Sequence, residues 1–214
     1  MADRAAEISA IGDAARRRFD DKHNAREVTI GAARKAIQCC AASIRATHRG
    51  EWESAESLAT EAAEHLRAAD AATVAFPEVR STGPLHDAKK ELAEAWLTLA
   101  LVRDEPLPTP EQLGVEVAAY LNGMAEAASE LRREILDHLR HGELERGELL
   151  MGAMDDIYSI LVTFDYPDGV TGGLRRTTDA LRAVLERTRG DLTTTTVATR
   201  LQTAIESERN DRNA

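Results

Sequence analysis

The chain has 214 residues, with 27 Lys and Arg against 37 Asp and Glu for a formal charge of -10, 4% aromatic residues and 6 Pro. That length allows a sizeable core, the Ala-, Leu-, Arg- and Glu-rich composition favours helices over a sheet, and no apolar run approaches the roughly 18 to 20 residues of a membrane span. The acidic balance argues against a chain wrapped in a basic nucleic-acid footprint, although a net charge says little about one local groove.

The first ten residues, MADRAAEISA, carry no signal-peptide pattern, so a cytoplasmic protein is expected. No Gly/Ser- or Pro-rich linker divides the chain, which reads as a single domain over residues 1–214 with a polar, frayed tail from about residue 208. Residues 5–48 show one long helical pattern, with Ile8, Ile11, Ala15 and Phe19 leading into Val28, Ala32, Ala36, Cys39 and Ile44. His48, Arg49 and Gly50 end it, Gly50 serving as the residue past the cap. Cys39 and Cys40 are adjacent on this helix and point in different directions, so they form neither a disulfide nor a metal pair with each other.

A second helix is expected over residues 51–75, closed by Pro77 and the Ser-Thr-Gly-Pro of residues 81–84. The third, residues 85–102, is apolar on nearly every side between Leu92 and Val102, which marks a buried helix and makes a simply solvated Glu94 improbable. Thr109 and Pro110 form an N-cap and N1 pair for a fourth helix over residues 111–140, stopped by His141 and Gly142. A fifth is expected over residues 143–162 and a sixth over 174–189 ended by Gly190, before a Thr-rich opening at 193–196 starts a last helix to about 207. In the sixth, Leu174, Leu181, Val184 and Leu185 serve either subunit contact or the intramolecular core.

No Gly-rich phosphate loop, HExxH or CxxC is present, so the chemistry-bearing signals are carboxylates. On the fourth helix, Leu121, Met124, Ala128, Leu131 and Ile135 make an apolar stripe, and Glu126, Glu130 and Glu134 a second stripe on the other side. Glu91 and Glu94 are three apart on the third helix, and Glu126 and Glu130 four apart on the fourth; each pair shares one helix face. Two packed helices would then present four carboxylates to a hard cation such as Mg²⁺ or Mn²⁺. Acid pairs are common in a chain with 37 acids, and most face solvent, so spacing leaves both readings open. A partly buried Glu94, however, needs a cation or hydrogen-bond partner to offset its desolvation.

Five segments, in order and spacing, resemble the translin family, and in particular its translin-associated factor X branch. They are RRRFDDKHNAREVTIGAARKAI at 16–37 with the His-Arg-Gly helix end, KKELAEA at 89–95, and YLNGMAE with SELRR across 120–133; MDDIYSIL at 154–161 and LRRTTDALRAVLERTRGDL at 174–192 follow. The resemblance covers most of the chain. It implies an all-α bundle of about seven helices that assembles into a hollow homo-oligomer, an octamer in the family, and encloses single-stranded RNA or DNA. It further implies an Mg²⁺-dependent endoribonuclease whose carboxylates correspond to Glu91, Glu94, Glu126 and Glu130. The active branch usually has Asp at the position of Glu126, so one extra methylene enters the site. RNA phosphates are expected at Arg34, Lys35, Arg80, His86, Lys89 and Lys90, with an ordinary surface charge as the alternative for each. The rival to an enzyme is a translin-type binding protein that holds nucleic acid without cutting it.

Overall fold

The computed structural model describes residues 4–80 and 83–213, and it is all-α, with no strand among the described residues. The helices in chain order are α1 (Arg4–Thr47), α2 (Trp52–Ala72), α3 (Pro77–Arg80), α4 (Gly83–Arg103), α5 (Pro110–Leu113), α6 (Val117–Arg140), α7 (Leu144–Leu161), α8 (Asp168–Thr171) and α9 (Leu174–Asn213). Six of these are long; α3, α5 and α8 are single turns. No described helix is long and apolar enough to cross a membrane.

α6 is the shared wall between two cores. On one side, Ala33, Ala36 and Cys40 of α1, Ala62 and Leu66 of α2, and Leu85, Leu92 and Leu97 of α4 pack together with Tyr120 and Ala127 of α6. On the other, Ala128, Leu131 and Ile135 of α6 meet Leu150, Met154 and Ile157 of α7 and Leu174, Leu181 and Leu185 of α9. Each fully buried leucine contributes roughly 1.5–3 kcal/mol relative to remaining in water. Leu174, Leu181 and Leu185 are thus committed to the intramolecular core, and the apolar residues left exposed on α9 are Val197, Leu201 and Ile205 further along.

The helix ends show which punctuation the backbone obeys. Gly50 takes φ 72° and Gly142 φ 78°, and in each case the following residue donates its N–H to the carbonyl five residues back, Glu51 to Ala46 and Glu143 to His138. These are Schellman ends, which need a left-handed residue and therefore favour glycine. Thr109 caps α5 in a reciprocal bond with Gln112, but Gly114 at φ 66° closes that helix after one turn. The helix expected over 111–140 is accordingly broken in two there. Gly190 behaves differently: α9 runs straight through it and continues as exposed helix to Asn213. A mid-helix Gly costs only about 1 kcal/mol relative to Ala, and inside the continued helix Thr193, Thr194 and Thr195 satisfy their hydroxyls on the carbonyls of Arg189, Gly190 and Asp191. The sixth and last expected helices are therefore one.

Candidate metal centre

α4 and α6 cross in close contact because the residues at the crossing are small. A Cβ placed on Gly123 would lie 2.5 Å from the Lys90 carbonyl oxygen, 2.8 Å from the Ala93 Cβ and 2.9 Å from the Glu94 nitrogen. Ala93, Ala95, Ala119, Ala125 and Ala127 are all buried. This approach brings the acidic faces of the two helices together.

Glu91, Glu94 and Glu126 each offer a carboxylate oxygen, and the three oxygens lie within 4.8 Å of one another. Glu94 is buried and Glu91 and Glu126 are half-buried. Burial, reinforced by the negative charges of Glu91, Glu126 and Glu130 and only partly opposed by Lys90, raises the Glu94 pKa to about 9. Burial also raises that of Glu91, with Lys90 opposing it and Glu126 adding to it. Lys90 supplies the counter-charge: its Nζ donates to Glu126 at 2.7 Å from Oε2 and 2.8 Å from Oε1, and stands 3.6 Å from Glu91. Burial pulls the Lys90 pKa down, but the Glu126 hydrogen bond and the surrounding acids outweigh it and the net shift is upward. A cluster of oxygen donors that raises a carboxyl pKa this far and draws an ammonium into contact fits a hard divalent cation.

Glu130 goes elsewhere. Its Oε2 lies 2.6 Å from Nε2 of His48, and Oε1 of Glu134 lies 2.5 Å from Nδ1 of the same ring. The His48 side chain is 2% exposed, and it stands immediately after the last residue of α1, where the helix dipole favours a cation. Burial acts to lower the His48 pKa, but the bonds and charges of Glu130 and Glu134 override it and raise it to about 9, so the ring is an imidazolium linking two acids at neutral pH. Glu130 still contributes to the field at Glu94. The other side of the site is floored by α1, where burial and then the charge of Glu91 hold the Cys40 thiol well above the usual range.

The cations expected to meet phosphate are scattered. Arg34 and Lys35 are exposed on α1. Lys90 is in the acid cluster, and half-buried His86 stands one turn earlier on α4, where its ring abuts Gly172 between α8 and α9. Lys89 does not reach a surface: it is 2% exposed, and its ammonium is bonded to Asp70 at 3.1 Å and Glu116 at 2.9 Å. The side chain of Arg80 lies outside the described residues. Arg132 ties α6 to α9, bonding Thr188 at 3.1 Å and Asp191 at 2.8 Å.

His48 is the site residue that the sequence pattern passed over. No sign of it can be read locally: Glu130 and Glu134 have Arg133 and His138 three and four residues away on α6, yet both acids bond His48. Its partners are 82 and 86 residues away in the chain, beyond any local pattern.

No family model matches the chain. An uncharacterised protein of Methanocaldococcus jannaschii is 30% identical over 177 residues, which cover 81% of this chain and 78% of that protein. A structure of AfC3PO with duplex RNA superposes with a TM-score of 0.80 at 33% identity, covering 87% of this chain and 96% of that one. A further AfC3PO crystal structure gives a TM-score of 0.80 at 34% identity over 87% and 97% of the two chains. Apo-NeC3PO shares the fold, with a TM-score of 0.77 at 17% identity over 86% of this chain and 96% of that one. With nearly the whole length of AfC3PO matched at this identity, and with the same helical architecture, the chain belongs to the translin family.

Proposed function

We propose that this protein is a divalent-metal-dependent endoribonuclease of the translin-associated factor X type, working as a homo-oligomer that encloses RNA. The observation that supports it best is the convergence of Glu91, Glu94 and Glu126 from two helices within 4.8 Å, around a buried carboxyl. The donor set suits Mg²⁺ or Mn²⁺, which prefer oxygen ligands. When bound, the ion supplies Lewis-acid stabilisation of a phosphoryl transition state and a water of lowered pKa. The chain's own groups divide the remaining work. Glu94, held protonated first by burial and then by the charges of Glu91, Glu126 and Glu130, would be an anionic ligand with a cation bound, since the cation would offset both. Lys90, which stands on Glu126, would supply positive charge to a phosphate at the rim, with His86 one turn away and Arg34 and Lys35 on α1 as further phosphate contacts. His48 fixes Glu130 and Glu134, so that Glu130 adds field at the site from a set position.

RNA as the substrate class is supported by the AfC3PO structure with duplex RNA, while the sequence resemblance points to single strands. Assembly is supported by apolar residues that the bundle leaves uncovered: Ile8, Ile11 and Phe19 on α1, and Val197, Leu201 and Ile205 on α9, each 59–70% exposed.

The test incubates end-labelled single-stranded and duplex RNA with the full-length protein, in Mg²⁺ or EDTA, beside Glu94→Gln. Cleavage of the single strand in Mg²⁺ is expected, with loss in EDTA and a fall of about 100-fold or more in the variant, beyond what outer-shell changes usually cause. Cleavage that persists in both EDTA and the variant refutes the reading. A second reading, a non-cutting binding protein, is favoured by one observation: the fourth acid, Glu130, is engaged by His48, leaving three carboxylates for the ion. RNA retained intact at every Mg²⁺ concentration would select it.

A further inference from the structure

A second group of metal-ligating side chains lies outside the acidic cluster. Cys39 of α1 and Glu61 and His65 of α2 each present one donor atom within 4.8 Å of the other two. Whereas Cys40 lies in the field of the α4 carboxylates, Cys39 is turned towards α2, where Glu61 is near enough to act on its thiol. Glu61 and His65 are four apart, which stacks them on one helix face, and His65 Nε2 already stands 3.7 Å from Glu61 Oε1. Two ligands at about 2.0–2.1 Å from a tetrahedral Zn²⁺ are about 3.3–3.4 Å apart, and a thiolate at about 2.3 Å stands about 3.6 Å from either. The His–Glu pair therefore has to close by a few tenths of an ångström. The sulfur has to move by at most about one, which rotation of partly exposed side chains supplies.

The donor chemistry separates this group from the first. A thiolate with an imidazole and one carboxylate is a poor set for Mg²⁺ and a good one for borderline-soft Zn²⁺, and three protein ligands leave a fourth position for water. Glu61 is exposed and Cys39 and His65 are half-buried, so an ion enters directly from solvent. Glu53, Glu56 and Glu64 line the same groove of α2 and concentrate cations there. Burial first, then the charge of Glu61, raise the Cys39 pKa. A bound cation reverses the effect of Glu61, so that the Sγ–H bond breaks, the proton passes to solvent and the sulfur lone pair forms the metal bond.

We propose that Cys39, Glu61 and His65 form a Zn²⁺ site that clamps α1 to α2, independent of the acidic cluster and of the nuclease reading. The test titrates the full-length, reduced protein with Zn²⁺ and with Co²⁺ as its optical reporter. One ion per chain is expected at this site, with a thiolate-to-cobalt charge-transfer band, tetrahedral d–d bands and a proton released from Cys39. Cys39→Ser is expected to remove the charge-transfer band, and His65→Ala to weaken Zn²⁺ binding by at least about tenfold, the lower end of what even outer-shell losses cause. Glu94→Gln should keep both signals, and circular dichroism checks that every variant is folded. A wild-type protein without the band, a band that survives Cys39→Ser, or Zn²⁺ affinity unchanged in His65→Ala would each overturn the assignment.

Discussion

In the metal-free protein at neutral pH, Glu94 is a carboxylic acid and His48 an imidazolium, since the pKa of each is raised to about 9. The unfolded values lie near 4.5 and 6.5, so the native state binds one extra proton at Glu94 between those limits and one at His48 between its own. Both contributions to stability are complete below the unfolded pKa and decline as pH rises towards 9, each by up to about 1.4 kcal/mol per pH unit. Glu94→Gln cannot ionise, and its urea-unfolding stability without metal is expected to fall less between pH 5 and pH 9 than the wild type does. An identical slope would mean that Glu94 is not the buried acid described. His48→Ala is expected to lose about 1.5–3 kcal/mol at pH 6, the usual worth of hydrogen bonds to charged groups, with the gap narrowing by pH 9. The two lysines at 89 and 90 look alike in the sequence, and only the helix register sends one into the interior. Lys89→Ala is expected to lower stability by about 2–4 kcal/mol through lost packing and ion pairing and to leave RNA affinity of the folded protein unchanged. Lys35→Ala should do the reverse, weakening RNA binding and reducing its salt dependence by about 0.7 in log–log slope for a single strand. Glu94 was legible in the sequence because its helix is apolar all round. The His48 bridge was not, since nothing near residue 48 announces acids that arrive more than 80 positions later.

Among elements, the α4–α6 crossing carries the site. Gly123→Ala places a methyl against backbone atoms of Lys90 and Glu94 that cannot move without displacing α4. Overpacking of this kind costs about 1–3 kcal/mol, and the two helices must separate, so Mn²⁺ affinity is expected to fall with stability. Gly152→Ala on α7 is the control: nothing lies within 4 Å of its added Cβ, and a helical Gly-to-Ala change there is expected to be neutral or to stabilise by up to about 1 kcal/mol. Equal effects from the two substitutions would contradict the close approach. Five of the six long helices are readable from apolar spacing, α9 being expected as two, and the stops at Gly50 and Gly142 from glycine after a periodic run. Gly190, read as a helix end, and Gly114, inside the helix expected over 111–140, depart from expectation for one shared reason. A glycine breaks a helix only where the following chain turns away; after Gly114 the chain turns before restarting at Val117, while after Gly190 the backbone stays helical to Asn213.

At the scale of the whole molecule, the cores on either side of α6 leave the first half of α1 and the last part of α9 as helix with apolar residues in water, Phe19 at 69% exposure and Leu201 at 61%. Single exposed apolar side chains are ordinary, but rows at helical spacing on two projecting arms are suited to pairing with other subunits. Light scattering of the full-length protein is expected to give an oligomer, and Leu201→Glu combined with Phe19→Glu to shift it towards smaller species; a monomer at every salt concentration would count against the enclosed assembly. The net charge of -10 is compatible with an RNA-binding interior if acids face outward and Arg34, Lys35 and Lys90 inward. Enclosure and metal then carry more of the affinity than phosphate contacts, which weaken steeply with salt. All of this depends on acids from α4 and α6 sharing one ion, and Mn²⁺ binding followed by electron paramagnetic resonance tests that directly. Wild-type protein is expected to bind Mn²⁺ at a site lost in Glu94→Gln and equally in Glu126→Gln, although the two residues are on different helices. Mn²⁺ binding that neither substitution alters would contradict it.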